Sequence, residues 1–354
     1  MGQQTLRSIM NTAVEKKASD IHLSVGTPPS LRVNGKLLRL GEEPLTGEET
    51  AAFAQQLLGE RLWASYLVDG ECDTSFTIDD TVNFRVNVFR QRGYCGAVLR
   101  LIPSELPTLD GLHLPQVFRS LCTRRNGLIL LTGPTGSGKT TTLAAMIEYM
   151  IRTRNEHIIT IEDPIEFIFP HGCGIVNQRQ VGTDTESFAS ALRSALREDI
   201  DVIMVGEMRD LETISAALTA AETGHLVLAT LHTIGAAQTI DRVVDVFPAE
   251  QQEQIRIQLG SVLEAVISQQ LLPNMEKNGR ELALEIMVSN HAISNLIREG
   301  KTDQIKNIMQ INSNNGMVTM DQSLIELYRA RKIDEITLLK YSVDPMEMRR
   351  LLGR

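Results

Sequence analysis

The sequence predicts an α/β protein in two parts: a small, mostly antiparallel sheet with helices, then a parallel sheet covered by helices. Three observations carry this. Residues 127–142 read Gly-Leu-Ile-Leu-Leu-Thr-Gly-Pro-Thr-Gly-Ser-Gly-Lys-Thr-Thr-Thr, an apolar strand running through a glycine-rich turn into an amphipathic helix. Strand and helix patterns alternate from 127 to 231, the rhythm of a parallel sheet. The first hundred residues instead alternate at period two, with turn residues between the runs.

Residues 1–102 form the first part. Leu6, Ile9, Met10, Ala13 and Val14 make a helical stripe, and Ile21, Leu23 and Val25 alternate as in a strand. Leu31, Val33 and Leu37 flank Asn34-Gly35, which reads as a hairpin turn. Glu48 to Leu58 reads as a helix closed by Gly59. Three strand-like runs follow, Cys72 to Ile78, Val82 to Arg90 and Tyr94 to Ile102, the last two joined through Gln91-Arg92-Gly93. Residues 103–115 hold three prolines and read as a linker. The second part spans 116–354. Its expected strands and helices are 127–132, 139–153, 157–162, 186–198, 201–206, 211–222 and 225–231; from about 248 the pattern reads as nearly all helical.

Composition bounds the function. The chain has 354 residues, 42% hydrophobic and 22% charged, enough for two domains with ample cores. A net charge of −9 argues against a general nucleic-acid binder. No run approaches the roughly 18 apolar residues of a bilayer span. Met-Gly-Gln-Gln-Thr-Leu-Arg lacks the apolar core of a signal peptide, and Leu6 breaks the myristoylation pattern. Cys72, Cys95, Cys122 and Cys173 make no C-x-x-C pair and read as reduced thiols of a cytosolic protein.

The chemistry concentrates at 133–141: Gly133, Pro134, Thr135, Gly136, Ser137, Gly138, Lys139, Thr140 and Thr141. These fit G-x-x-x-x-G-K-[ST] between strand and helix. Glycines let backbone N–H groups curl around a phosphate, and the helix N-terminus adds its positive end. Lys139 supplies a point charge for β- and γ-phosphates, and the Thr140 hydroxyl can ligate Mg²⁺.

Three later strands end in functional side chains. Residues 200–207 read as an apolar strand tipped by Glu207. At the carboxyl end of a parallel sheet it would lie near a γ-phosphate, to orient and deprotonate water or hold Mg²⁺ through water; a solvated strand-end acid is the plainer reading. Glu162-Asp163-Pro164-Ile165-Glu166 clusters acids at another strand end, either metal- and water-side groups or a charged loop. His225 and His232 bracket a third strand, about 23 Å apart if it is straight. His232 and Thr233 can sense a γ-phosphate, whereas His225 is either structural or faces a neighbouring subunit. In the first part Arg85, Arg90, Arg92 and Arg100 surround a hairpin with Phe84, Phe89 and Tyr94. They are either solvated edge residues or groups that reach a nucleotide held elsewhere.

Four blocks in order, Gly-Pro-Thr-Gly-Ser-Gly-Lys-Thr, Ile-Glu-Asp-Pro-Ile-Glu, Val-Ile-Met-Val-Gly-Glu-Met-Arg-Asp and Thr-Gly-His-Leu-Val-Leu-Ala-Thr-Leu-His-Thr, closely resemble the secretion ATPase superfamily and, within it, the type IV pilus retraction ATPases (the PilT family). Ala18-Ser19-Asp20-Ile21-His22-Leu23 and Met320-Asp321-Gln322-Ser323-Leu324 also fit. The resemblance implies a PAS-like first domain and a RecA-like ATPase domain with a helical C-terminal region. It implies a cytoplasmic homo-hexamer at the inner face of the cell membrane, working on an inner-membrane platform protein and withdrawing pilin by domain rotation driven by ATP and Mg²⁺. Glu162, Glu166, Glu207 and His232 would be catalytic; Arg85, Arg90 and Arg100 would complete the ATP site. Two positions depart from the family pattern: Ile200 stands where proline is usual, and Ser294 replaces the first arginine of an Ala-Ile-Arg-x-Leu-Ile-Arg-Glu-like motif. Ser294 leaves room for an accessory retraction paralogue. A low-turnover nucleotide-binding scaffold is opposed by Lys139, Thr140 and Glu207, and the zinc-binding C-x-x-C pairs of extension ATPases are missing.

Overall fold

The computed structural model describes residues 5–78, 82–102, 105–276, 278–313 and 316–352. Contacts divide the chain into two units, Met1–Leu106 with Pro164–Ile168, and Pro107–Asp163 with Phe169–Arg354.

The first unit begins with α1 (Leu6–Glu15), capped by the Thr5 hydroxyl and burying Leu6, Ile9, Met10 and Ala13 on one face. Then come β1 (Asp20–Leu23), β2 (Ser30–Val33), β3 (Lys36–Arg39), α2 (Gly47–Asp69), β4 (Glu71–Ile78), β5 (Val82–Gln91) and β6 (Tyr94–Leu101). Among the described residues they form a six-stranded sheet in the order β3-β2-β1-β6-β5-β4, antiparallel at every pairing. Both hairpins turn where expected. Asn34-Gly35 and Arg92-Gly93 each place two successive residues at positive φ, the geometry that follows the twist of paired strands. At Gly59 (φ 65°, ψ 176°) the helical path of α2 breaks, then resumes to Asp69, a continuation that the sequence pattern did not indicate. Phe84, Val86, Val88 and Leu99 face the helices and are fully buried.

The second unit runs α3 (Val117–Cys122), β7 (Gly127–Thr132), α4 (Lys139–Thr153), β8 (His157–Glu162), β9 (Ile175–Gln180), α5 (Phe188–Ala195), β10 (Val202–Val205), α6 (Leu211–Glu222), β11 (Leu226–Leu231), α7 (Ala236–Asp245) and α8 (Ala249–Val262). It continues through β12 (Leu263–Pro273), β13 (Arg280–Val288), α9 (His291–Arg298), α10 (Ile305–Ile311), α11 (Met320–Arg329), α12 (Glu335–Tyr341) and α13 (Pro345–Leu351). The sheet order is β13-β12-β7-β11-β10-β8-β9, parallel except for the β12–β13 hairpin. Every residue of β7, β10 and β11 is buried, as in a sheet covered on both faces.

That hairpin corrects the helical expectation beyond 248. β12 joins β7 as an interior strand, but it follows α8 with no turn residue between and Ser268-Gln269-Gln270 break its apolar run, so it lacks the strand pattern of β7, β10 and β11. β9 also went unread: it is a polar strand at the sheet edge, Ile-Val-Asn-Gln-Arg-Gln, with little apolar pattern.

Candidate nucleotide site

Parallel register aligns the strand ends. Thr132 lies opposite Leu231, Val205 opposite Ala229, and Val205 opposite Ile161. The segments that leave β7, β11, β10 and β8 therefore emerge along one edge of the sheet: Gly133–Gly138, His232–Thr233, Gly206–Glu207 and Asp163.

Gly133, Gly136 and Gly138 all adopt positive φ (137°, 78° and 90°). A Cβ on Gly133 would lie 2.3 Å from the Gln269 carbonyl oxygen, so β12 excludes any side chain there. No side-chain hydrogen bond caps α4, whose first turn holds Lys139, Thr140 and Thr141. Its leading N–H groups and dipole suit an anion. Lys139 Nζ donates to the carbonyls of Gly133 (2.7 Å) and Pro134 (3.2 Å). Ser137 Oγ is buried without a hydrogen-bond partner, an unmet polar atom inside the loop. Pro134, Thr135 and Gly136 form the exposed crest. These features fit a polyphosphate.

Glu207 is mostly buried. Its Oε1 lies 3.1 Å from His232 Nε2, and its Oε2 lies 2.7 Å from Arg209 Nη2. Burial pushes this carboxyl up, but the Arg209 hydrogen bond and the His232 and Arg209 charges outweigh that and hold it below the ordinary carboxylate value. Thr230 Oγ1 donates to the Gly206 carbonyl (2.6 Å), fixing the backbone before Glu207. A hollow of about 260 Å³ adjoins Glu207, Arg209, His232, Thr233 and Arg242, with room for ordered water.

The acidic run splits. Glu162 is buried at the end of β8, where it accepts from Thr160 Oγ1 (2.7 Å) and Gln178 Nε2 (3.1 Å). Glu166 groups with the first unit, 3.4 Å from Arg85 Nη1. His225 sits before β11, at the end away from His232, with Nδ1 3.0 Å from the Ala220 carbonyl and 3.2 Å from Thr223 Oγ1.

The first unit does not gather its arginines. Arg85 and Arg100 are cross-strand partners on one face of the sheet. Arg100 bonds Asp20 (2.9 Å). Arg90 stands on the other face, bonds the Leu67 carbonyl (3.0 Å) and lies over the Tyr66 ring.

Two neighbours of the site were not singled out from the sequence. Arg209 follows Glu207 by two residues and was passed over as part of a motif. Gln269 is fully buried in β12, and its Nε2 donates to Thr142 Oγ1 on α4 (2.9 Å). Finding it required recognising β12 as the neighbour of β7.

The family model described as Type II/IV secretion system protein matches residues 3–342. The type IV pilus retraction ATPase PilT of Pseudomonas aeruginosa is 48% identical over 319 residues, 90% of this chain and 92% of that protein. A twitching motility protein of Neisseria gonorrhoeae is 46% identical over 92% of this chain and 87% of its own length. The crystal structure of the pilus retraction motor PilT with bound ADP superposes with a TM-score of 0.92, at 48% identity, covering 98% of this chain and 100% of that one. The chain thus belongs to the Type II/IV secretion system protein family and is an ATP-hydrolysing enzyme.

Proposed function

We propose that this chain is the ATP-driven motor that retracts a type IV pilus in twitching motility, acting as a homo-hexamer. The likeness to the retraction motor PilT, 48% identical with a TM-score of 0.92, supports the retraction reading most, and the Glu207–His232 pair on the strand edge that also carries the phosphate loop supports its hydrolytic part. Lys139 would exchange its Gly133 and Pro134 carbonyl contacts for the β- and γ-phosphates, while the backbone of 136–140 cradles them. Glu207 would take a proton from the attacking water, with His232 steering the carboxylate. Mg²⁺ would be held by the Thr140 hydroxyl and would supply charge neutralisation at the phosphates. Glu162 and Glu166 would serve as further acids near the nucleotide. Arg85, Arg90 and Arg100 would meet ATP only after leaving their present partners.

Among the described residues no helix is long and apolar enough to cross a membrane. By its likeness to the retraction motor PilT, the motor would work from the cytoplasmic face of the inner membrane through a platform protein of the pilus machine. Ser294 favours a second reading, an accessory retraction role. It sits partly buried in α9 with its hydroxyl 3.3 Å from Ser289 Oγ, where the family motif carries an arginine. Deleting the gene and imaging the cells tests both readings. Persistent surface pili without movement are expected of the motor. Absent pili would contradict retraction, and near-normal movement would point to the accessory role.

A further inference from the structure

Glu285 lies on β13 opposite Ser268 of β12. Each of its carboxylate oxygens accepts a hydrogen bond from the first residue of a different helix. Ala236 N, at the start of α7, donates to Oε1 at 2.8 Å; Met320 N, at the start of α11, donates to Oε2 at 3.1 Å. Ser268 Oγ accepts from Gly235 N at 3.0 Å.

The two helices use this carboxylate differently. α7 opens on Gly235 and has no side-chain cap of its own, so Glu285 and Ser268 satisfy its leading N–H groups. α11 already has a complete capping box, Thr319 with Gln322. It does not need Glu285 to begin, so the second bond acts as a tie between helices. β13 is further fastened to this place by reciprocal backbone bonds between Ile286 and Val318 (2.8 and 3.0 Å).

Both ends of the tie lead onward. α7 follows His232–Thr233 directly, and Thr233 Oγ1 lies 2.7 Å from Thr239 Oγ1 on α7. α11 buries Met320 and Leu324 in a cluster with Ile333 of the turn that follows it and with Leu338 of α12 and Met348 of α13. A shift at His232–Thr233 would displace the amides of 235–236, and the shared carboxylate would carry that displacement to Met320.

We propose that Glu285 is a positioning residue that couples the His232–Thr233 loop to the C-terminal helices, so that nucleotide state at the strand edge sets the placement of α11. This rests on reading His232–Thr233 as nucleotide-responsive. The test is amide hydrogen exchange on the full-length protein, with and without AMP-PNP and Mg²⁺, alongside steady-state hydrolysis.

In the wild type, exchange should slow together at Gly235, Ala236 and Met320, by about fivefold or more at Met320. In Glu285→Ala the response at 235–236 should persist and the response at Met320 should vanish, with kcat reduced and KM unchanged. Glu285→Gln offers one acceptor and one donor, so it keeps one link and opposes the other; it should weaken the Met320 response if the alanine variant proves unstable. A Met320 response undiminished in both variants overturns the coupling, as does a wild type that responds at 235–236 but not at Met320. No response at 235–236 in the wild type overturns the nucleotide-responsive loop instead.

Discussion

The two units present their candidate groups in opposite ways. In the second, the phosphate loop, Glu207 and His232 leave the carboxyl ends of fully buried parallel strands. In the first, Arg85 stands inside β5 and Arg100 near the end of β6 of an antiparallel sheet, and both already hold partners. Parallel register brings side chains distant in sequence to one edge without any of them giving up packing. The antiparallel sheet instead places two guanidinium groups opposite each other, a repulsive arrangement that each relieves by binding a carboxylate. On the proposed reading the arginines of the first unit would have to change partners to take part, whereas the second unit already sets its candidate groups along one strand edge.

The costs of that change differ. The Arg85–Glu166 pair is more than a third exposed on both sides, and such pairs contribute about 0–1 kcal/mol. Asp20 has a buried side chain, and losing Arg100 leaves that carboxylate with Ser19 Oγ (2.8 Å) and the more distant Arg32 Nε (3.9 Å), at about 1–3 kcal/mol. Arg85 is therefore the more readily released, and Arg100 the more structural.

Substitutions can break this contrast. The largest effect is expected at Gly133→Ala. Its Cβ would strike the Gln269 carbonyl at 2.3 Å in a left-handed conformation, so nucleotide affinity should fall below detection in a fluorescent-ATP titration. Near-normal binding would show that β12 does not constrain the loop. Next, Arg85→Ala should lower kcat by about tenfold or more while moving the thermal midpoint little. A lowered midpoint with unchanged kcat would make Arg85 structural. The smallest effect on turnover belongs to Arg100→Ala, which should destabilise the protein by about 1–3 kcal/mol in urea melts.

That last loss should depend on pH. Burial raises the Asp20 carboxyl, but Ser19 and Arg100 outweigh it and hold its pKa below the ordinary value. A carboxyl depressed in the folded state stabilises above its unfolded pKa, about 3.9, and that stability fades as pH falls through the folded value. The wild type and Arg100→Ala should thus differ most near neutrality and converge in acid. A difference that grows on acidification would contradict the assignment.

Legibility followed local pattern. Wherever a strand ended in a chemical signature, as at Gly133–Thr140, Glu207 and His232, the residues could be named from the sequence, because glycine geometry and strand-end carboxylates leave local marks. The two hairpin turns were equally plain, since Asn34-Gly35 and Arg92-Gly93 meet a backbone demand that few residues satisfy. β12 was opaque because Ser268-Gln269-Gln270 break its apolar run and it follows α8 with no turn residue between, and Gln269 was lost with it. The parting of Glu162 from Glu166 was also hidden. They stand four positions apart in sequence, yet one closes β8 and the other joins a different unit, a distinction made by long-range packing.

The central claim is that Glu207 activates the attacking water at a site built by the strand edge of the second unit. Glu207→Gln keeps the shape of the side chain and removes its basicity. The direct measurement is phosphate release by this variant, with ATP affinity measured on the same sample. Turnover should fall by about 10²–10⁴-fold with ATP binding intact; turnover within about twofold of the wild type would contradict the assignment.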